Sequence, residues 1–297
     1  MTWPAVGVVV PTRGNRPELL RRTLDAISAQ DYPGPVRTLV VADRGHPGTV
    51  PAEVIENRRS PGLPGARNTG ILALGTELVA FCDDDDAWLP GKLTAQVRAL
   101  RAAHGAEFAS CSITVESAGR SVHRLAGRAE VTHADLLRSR MVMVHSSTFL
   151  IDRQALIHRI GLPDESIPAG QNEDWDLALR AAKRHPITHV DVPLVRVTWG
   201  RTSMFAQVWQ DRIAGLEWML RCHPELSGSR AGAARVYGQL AFHNAALRRR
   251  RAAIRWAWRA LTTNATERRV PIALAVALGV IPASTVLRMS HMWGRGI

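Results

Sequence analysis

Four consecutive aspartates, Asp83–Asp86, are the residues of this chain with the most pointed chemistry. Like charges this close raise one another's pKa and oppose any fold that gathers them. A bound Mg²⁺ or Mn²⁺ removes that repulsion, because hard cations take carboxylate oxygens and keep positions open for phosphate oxygens. If the run extends the strand before it, alternate side chains point the same way, so Asp83 and Asp85 are expected to share one metal. A solvated acidic loop is the competing reading. The apolar run before the acids, and Trp88 with a helical segment after them, favour the metal site.

The elements that must carry this cluster read as follows. Val6–Val10 is an unbroken β-branched run, expected to be a strand buried on both faces. It ends at Pro11-Thr12-Arg13-Gly14. A helix follows, with Asn15 as its expected cap and Pro17 in its first turn, and with Leu20, Leu24 and Ile27 on the buried face. Val36–Ala42, ending at Asp43, and Leu78–Cys82 read as further buried strands, with a short one at Val54-Ile55. The Gly/Pro loop Ser60–Gly65 feeds a helix through Leu74, and Pro90 opens another to about Ala103. Strand and helix therefore alternate, which predicts a parallel, doubly wound α/β sheet. Ligands bind such sheets beyond the carboxyl ends of the strands. Thr12-Arg13, Asp43 and Asp83–Asp86 all fall there. Further on, Phe108–Val115, Ser146–Ile151, Ile187–Val192 and Leu194–Thr198 read as strands, and Trp175–Ala182 as a helix. The stretch 118–142 carries no interpretable motif and is expected to shape an acceptor site.

The chain has 297 residues and a formal net charge of +12, a balance that favours anionic partners. Nucleic acid is not expected: the basic residues are dispersed, with no helix-turn-helix, zinc or RNP motif, and the four aspartates repel a phosphate backbone. Cys82, Cys111 and Cys222 are too few and too scattered for a disulfide framework or a zinc site, which fits a reducing cytoplasm. Val6–Val10 is too short for a signal core, and no segment reaches a membrane-spanning length. The single glycine of Pro11–Asn15 argues against a dinucleotide fingerprint, and no P-loop occurs.

Phe81-Cys82-Asp83-Asp84-Asp85-Asp86-Ala87-Trp88 resembles the DxD signature of family 2 glycosyltransferases, which have a GT-A fold. Four more segments agree in order. Val8–Arg13 resembles the opening strand with its nucleotide-contacting Thr, and Val40–Asp43 the second strand, whose Asp contacts the base. Gly62–Gly70 resembles the loop and helix carrying a donor-contacting Arg, and Asn172–Asp176 the ED motif, whose Asp is the catalytic base. The resemblance covers roughly residues 5–205 and implies a nucleotide-sugar donor and inversion at the anomeric carbon. It assigns Pro11, Thr12, Arg13, Asp43, Arg67, Asp83 and Asp84 to the donor, Asp83 and Asp85 to Mg²⁺ or Mn²⁺, and Asp174 to the base, with Glu173 next in line. Plain structural readings stand beside these: Asp43 as a turn aspartate, Arg67 as a surface helix arginine, Asp174 as a first-turn acid at a helix N-terminus. Asn68 is expected to brace its loop, and Asp176 to be structural. Relatives often carry a His after the ED motif. Here Val195–Arg201 has none, which leaves Arg196 or Arg201 to support the diphosphate. His145 and His189 lack ligand spacing and read as core or surface residues.

The implied catalytic domain is residues 1–205. A helical, Arg-rich extension, 206–297, follows. Its helices either dock on the catalytic domain or lie on an anionic membrane near a lipid-linked acceptor, which would place the protein peripherally at the inner face of the plasma membrane. Trp199, Trp209 and Trp218 either stack on an acceptor sugar or pack in a core. The acceptor hydroxyl belongs to a glycan, as in polysaccharide biosynthesis, to a lipid-linked glycan or to a natural product. The rivals are a sugar-nucleotide nucleotidyltransferase, which Pro11–Asn15 fits poorly, and a non-catalytic nucleic-acid- or membrane-binding protein.

Overall fold

The computed structural model describes residues 2–117, 119–198 and 209–292. In chain order its elements begin with β1 (Val6–Thr12), α1 (Pro17–Ser28), β2 (Val36–Ala42), β3 (Glu53–Glu56), α2 (Leu63–Ala73), β4 (Leu78–Phe81), β5 (Ala87–Trp88) and α3 (Lys92–Ala102). Then come β6 (Phe108–Ser117), β7 (Arg120–Arg124), β8 (Glu130–Val131), α4 (His133–Arg138), β9 (Leu150–Asp152), α5 (Arg153–Ala155), α6 (Glu173–Ala182) and β10 (Ile187–Thr198). Five helices close the chain: α7 (Trp209–Cys222), α8 (Arg230–Ala246), α9 (Arg250–Thr263), α10 (Arg269–Ala277) and α11 (Ala283–Met292).

One mixed sheet runs β3-β2-β1-β4-β9-β6-β10-β5, with β7 on β6 and β8 on β10. The first four strands are parallel, as the strand–helix alternation requires, while β9 enters antiparallel between β4 and β6. The alternation along β1 shows why its whole surface is apolar. Val6, Val8 and Val10 face one layer with Leu20 and Leu24 of α1 and Leu93 and Val97 of α3. Val9 faces the opposite layer with Ala66 and Ile71 of α2 and Leu177 of α6. A strand covered by helices on both faces must be apolar at every position.

Four local expectations need correction. Arg16, not Asn15, caps α1, and it makes no side-chain cap bond. Ser146–Thr148 is a 3₁₀ turn, and the strand there is only β9, because Phe149 is drawn into the core. Ile187–Thr198 is one strand rather than two; its pairing with β6 shifts register around Pro193, which cannot donate to the ladder. Asp83–Asp86 does not extend β4. It folds as a tight turn in which Asp86 N donates to Asp83 O at 3.1 Å, so strand alternation does not apply there.

The expected division at 205/206 lies outside the described residues, but the core crosses it. Ile213, Leu216, Trp218 and Met219 of α7, with Val236 and Leu240 of α8, share one apolar cluster with Leu39, Phe81 and Leu177 of the sheet layers. α8 lies so close to the end of α4 that a Cβ on Gly232 would stand 1.8 Å from the Leu137 carbonyl oxygen. Trp218 is core, and Trp209 packs edge-on against Phe242, with ring centroids 5.7 Å apart. Trp199 and Arg201 lie outside the described residues.

Candidate active site

The acidic turn sits at the carboxyl end of β4, beside the ends of β1 and β2. Its four carboxylates point to different partners. Asp84 is buried, and its Oδ2 accepts from Thr12 Oγ1 at 2.6 Å while its Oδ1 accepts from Arg16 Nη2 at 2.5 Å. Arg16 also pairs with Asp85. Asp86 accepts from Ser147 Oγ at 2.6 Å, and its backbone carbonyl takes Thr23 Oγ1 at 2.7 Å. Asp83 turns inward, accepting from Arg67 Nη2 at 2.5 Å and from Ser146 Oγ at 3.2 Å.

Arg67 is neither a surface helix arginine nor free for a phosphate here. It is fully buried at the centre of α2, where one guanidinium nitrogen holds Asp83 and the other Glu173. Its charge is what lets two acids lie under the sheet's edge. Glu173 and Asp174 open α6 after Asn172, which adopts φ +66°, a left-handed conformation that Asn tolerates. Both oxygens of Asp174 accept from Arg140 Nη2, at 2.9 and 2.8 Å, and Trp175 N donates to Oδ1 at 2.8 Å. Asp176 points away, to His223 Nε2 at 2.8 Å and to Arg180, and ties α6 to the segment after α7, the structural role expected of it.

These surroundings set the charges. Burial pushes Asp84 up to about 6, against the Thr12 hydrogen bond and Arg16. Burial and then Asp83 raise Asp85; burial with Asp83 and Asp85 raises Asp86 well above the usual range. Burial also lifts Glu173 to about 7, against Arg67 and helped by Asp174. Burial works against the charge of Asp83 too, but Arg67 and His145 overcome it and hold that carboxyl low. Burial is likewise outweighed at Asp174, where Arg140 and His145 hold the carboxyl low.

His145 was not expected here. Ligand atoms of Asp83, Asp86 and His145 lie within 4.8 Å of one another. Two carboxylates and an imidazole suit a divalent ion, and Asp86, the acid with no arginine on it, is where added positive charge has most effect. Asp85 is paired to Arg16 and stands outside this trio. His189, by contrast, is a core residue between Ser110 and Ser112, as expected.

The remaining assigned residues serve the frame in this structure. Pro11 is buried in β1; Thr12 Oγ1 also takes Gly14 N at 3.1 Å; Arg13 is exposed. Asp43 accepts from Asn57 Nδ2 at 2.8 Å and Gly62 N at 3.0 Å, which fastens the end of β2 to the loop before α2. Asn68 braces the same region, donating to Pro163 O and Glu165 Oε1, as expected. Arg196 pairs with Glu116 on the neighbouring strand at 2.9 Å.

The acids Asp83, Glu173 and Asp174 line a cavity of about 940 Å³. Residues of the stretch 123–146 and of α7, α8 and α10 also line it. Arg16, Arg140, His145, Ser146 and Ser147 were missed by sequence reasoning. They reach the acids from 61 to 69 positions away or from that same stretch, and no short-range spacing marks them.

The model of the family described as "Glycosyltransferase like family 2" matches residues 4–215. An uncharacterized glycosyltransferase of Bacillus subtilis (strain 168), YwdF, is 24% identical over 193 residues, which cover 62% of this chain and 70% of that protein. Among solved structures, S. aureus TarS 1–349 in complex with UDP-GlcNAc superposes with a TM-score of 0.62 at 17% identity, covering 99% of this chain and 93% of that one. The mannosyltransferase PcManGT of Pyrobaculum calidifontis, in complex with GDP-Man and Mn²⁺, gives 0.54 at 19% identity, covering 98% and 80%. The helices beyond residue 215 therefore lie within the span of fold likeness although the family model stops before them. With a mostly parallel first half-sheet, helices on both faces and acids at the strand ends, this chain belongs to the family 2-like glycosyltransferases and is a glycosyl-transfer enzyme of GT-A fold.

Proposed function

We propose that this enzyme moves a sugar from a nucleotide-diphosphate sugar to an acceptor hydroxyl in one displacement, with inversion and with Asp174 as general base. The observation that carries the reading is Asp174 itself: a buried carboxylate held ionised by Arg140, in the wall of the cavity that the acidic turn also enters. The acceptor O–H gives its proton to Asp174, and the freed oxygen bonds to the anomeric carbon. The carbon–oxygen bond to the diphosphate breaks, and the electron pair leaves with the diphosphate. Glu173, lifted toward neutrality and locked on Arg67, is the poorer base. That UDP-GlcNAc and GDP-Man occupy the solved relatives supports a nucleotide-sugar donor here.

Asp83, Asp86 and His145 would hold a divalent ion such as Mn²⁺ or Mg²⁺, with Asp85 joining if Arg16 releases it. When bound, the ion supplies positive charge to the departing diphosphate. Thr12, Arg13 and Asp43 border the donor side. The acceptor is a glycan, a lipid-linked glycan or a natural product, and the extension brings the enzyme to an anionic membrane face. One observation supports the latter: Ile254 and Trp258 are exposed among the arginines of α9, and Leu278 and Val280 are exposed just after α10.

The test is binding and hydrolysis of UDP-, GDP- and dTDP-sugars with Mn²⁺ or EDTA, for wild type and Asp174→Asn. One nucleotide class should bind in a metal-dependent way. The variant should keep that affinity and lose about 10²–10⁴-fold in rate. No binding to any donor, or full activity in the variant, overturns the reading.

A further inference from the structure

The cavity is lined by more positive than negative side chains. Eight arginines and four carboxylates border it. The carboxylates are all engaged: Asp83 and Glu173 by Arg67, Asp174 by Arg140, and Asp135 by Arg128 and Thr132. The wall contributed by the helical extension holds Arg212 from α7, Arg235, Gln239 and His243 from α8, and Arg269 from α10.

Three of these side chains carry buried polar atoms with no hydrogen-bond partner among the described residues. They are Nε of Arg235, Nε of Arg269, and both ring nitrogens of His243. His243 is only 3% exposed and borders the cavity. A buried imidazole without a partner is destabilising relative to a satisfied one. Among the described residues Arg235 donates from Nη1 to Ser139 Oγ, at 3.2 Å, and Arg269 pairs with Glu267. Arg212 lies over the Trp209 ring, 5.5 Å from its centroid, and among the described residues no carboxylate pairs with it.

The cations also feel one another. Burial and then Arg140 depress Arg212, and burial and then Arg269 depress Arg235. Burial with Arg212 and Arg269 pushes His243 down to about 3, so its ring is neutral and offers one donor and one acceptor. Guanidiniums from three helices and from the loop bearing Arg140 thus surround one space. Glu267, paired with Arg269, offsets only part of their mutual repulsion, and an entering anion would offset more. Donors arriving from separate elements suit a tetrahedral oxyanion better than the planar fork of a carboxylate.

From this we infer that the wall formed by Arg212, Arg235, His243 and Arg269 is an acceptor subsite for a phosphate group, so that the acceptor is a phosphorylated molecule whose free hydroxyl reaches Asp174. The inference rests on the glycosyl-transfer reading of Asp174. Arg140 joins the two parts, since it holds Asp174 and is the cation that Arg212 feels.

The experiment is titration of the full chain with sn-glycerol 3-phosphate, glycerol and glucuronate at low salt, followed by calorimetry and by thermal unfolding. The proteins are wild type, Arg235→Gln, Arg212→Gln, and Arg37→Gln, whose exposed side chain pairs with Glu53 far from this wall. Wild type and Arg37→Gln should bind the phosphate ester saturably, more tightly than glucuronate, and should not bind glycerol. Both wall variants should bind it at least tenfold more weakly and lose its stabilising shift in Tm. Without ligand they should be no less stable than wild type, because each removes an uncompensated cation; a purely structural arginine predicts the opposite. Equal binding in all four proteins, or glucuronate bound as tightly as the ester, overturns the inference. So does capture only by phosphatidic acid vesicles that is undiminished in the wall variants. Nucleotide-sugar binding with unchanged phosphate binding in the variants sinks this inference alone. Phosphate binding lost in the variants, with no donor bound by any protein, sinks the transferase reading and leaves the anion site.

Discussion

The charge of Asp174 depends on a residue that no motif announces. Arg140 lies in a stretch without sequence signal, yet both of its contacts to Asp174 are within 2.9 Å. A base works when ionised, so activity falls as pH drops through its pKa, and a cation that lowers the pKa extends activity toward acid. Arg140→Met should therefore move the acid limb of the pH–rate profile for donor hydrolysis to higher pH. An unmoved limb would show that Arg140 does not set the ionisation of Asp174. At this scale the sequence was partly legible. The strand ends named the acids and Asp43, because turn chemistry is local. The partners of those acids were not legible, because Arg16, Arg67, Arg140 and His145 find them through the tertiary fold. Arg67 shows the limit well: helical spacing put it on a helix but could not say that the helix is buried on nearly every side.

Among the elements, α2 is buried along most of its length. Eight of its residues, Pro64 through Ile71, are buried between β1 and α6. It reaches that place through Gly65, where a Cβ would stand 1.8 Å from the Ser60 carbonyl oxygen. The Ser60–Gly62 loop it touches is the one fastened to Asp43. Gly65→Ala should cost about 1–3 kcal/mol in chemical unfolding. It should also weaken donor binding, since the end of β2 moves with the loop; unchanged stability would mean the loop can yield freely. The βαβ rhythm of the first hundred residues was readable because parallel strands buried on both faces leave no polar interruptions. The acidic turn was misread as strand for a related reason: apolar periodicity ends where the acids begin, and charge alone carries no backbone period.

For the whole molecule, the five C-terminal helices are both docked and exposed. Val236 and Leu240 enter the main core, while Trp258 is 68% and Val280 72% exposed. The two sequence readings of the extension, docking on the catalytic part and lying on a membrane, are thus compatible faces of one arrangement. Docking predicts that Gly232→Ala, which sets a methyl group against the Leu137 carbonyl, lowers Tm and disturbs the cavity wall. A variant as stable as wild type would mean that α8 does not press on α4. The exposed face predicts that vesicles rich in anionic lipid carry the protein upward in a flotation gradient. High salt, or Trp258→Asp, should leave it at the bottom. Failure of wild type to float with anionic vesicles ends the membrane proposal.

Arg67 has one more consequence, and it concerns descent rather than catalysis. A guanidinium wholly enclosed by protein is shared by Asp83 and Glu173, acids 90 positions apart. Loss of Arg67 alone would leave Asp83 and Glu173 in the interior without their cation, at about 3–5 kcal/mol. That is a large part of the margin on which a domain of this size survives. Arg67 therefore cannot drift while both acids remain. A lineage that gives up the arginine must give up an acid with it, whereas either acid can go while the other still holds the guanidinium.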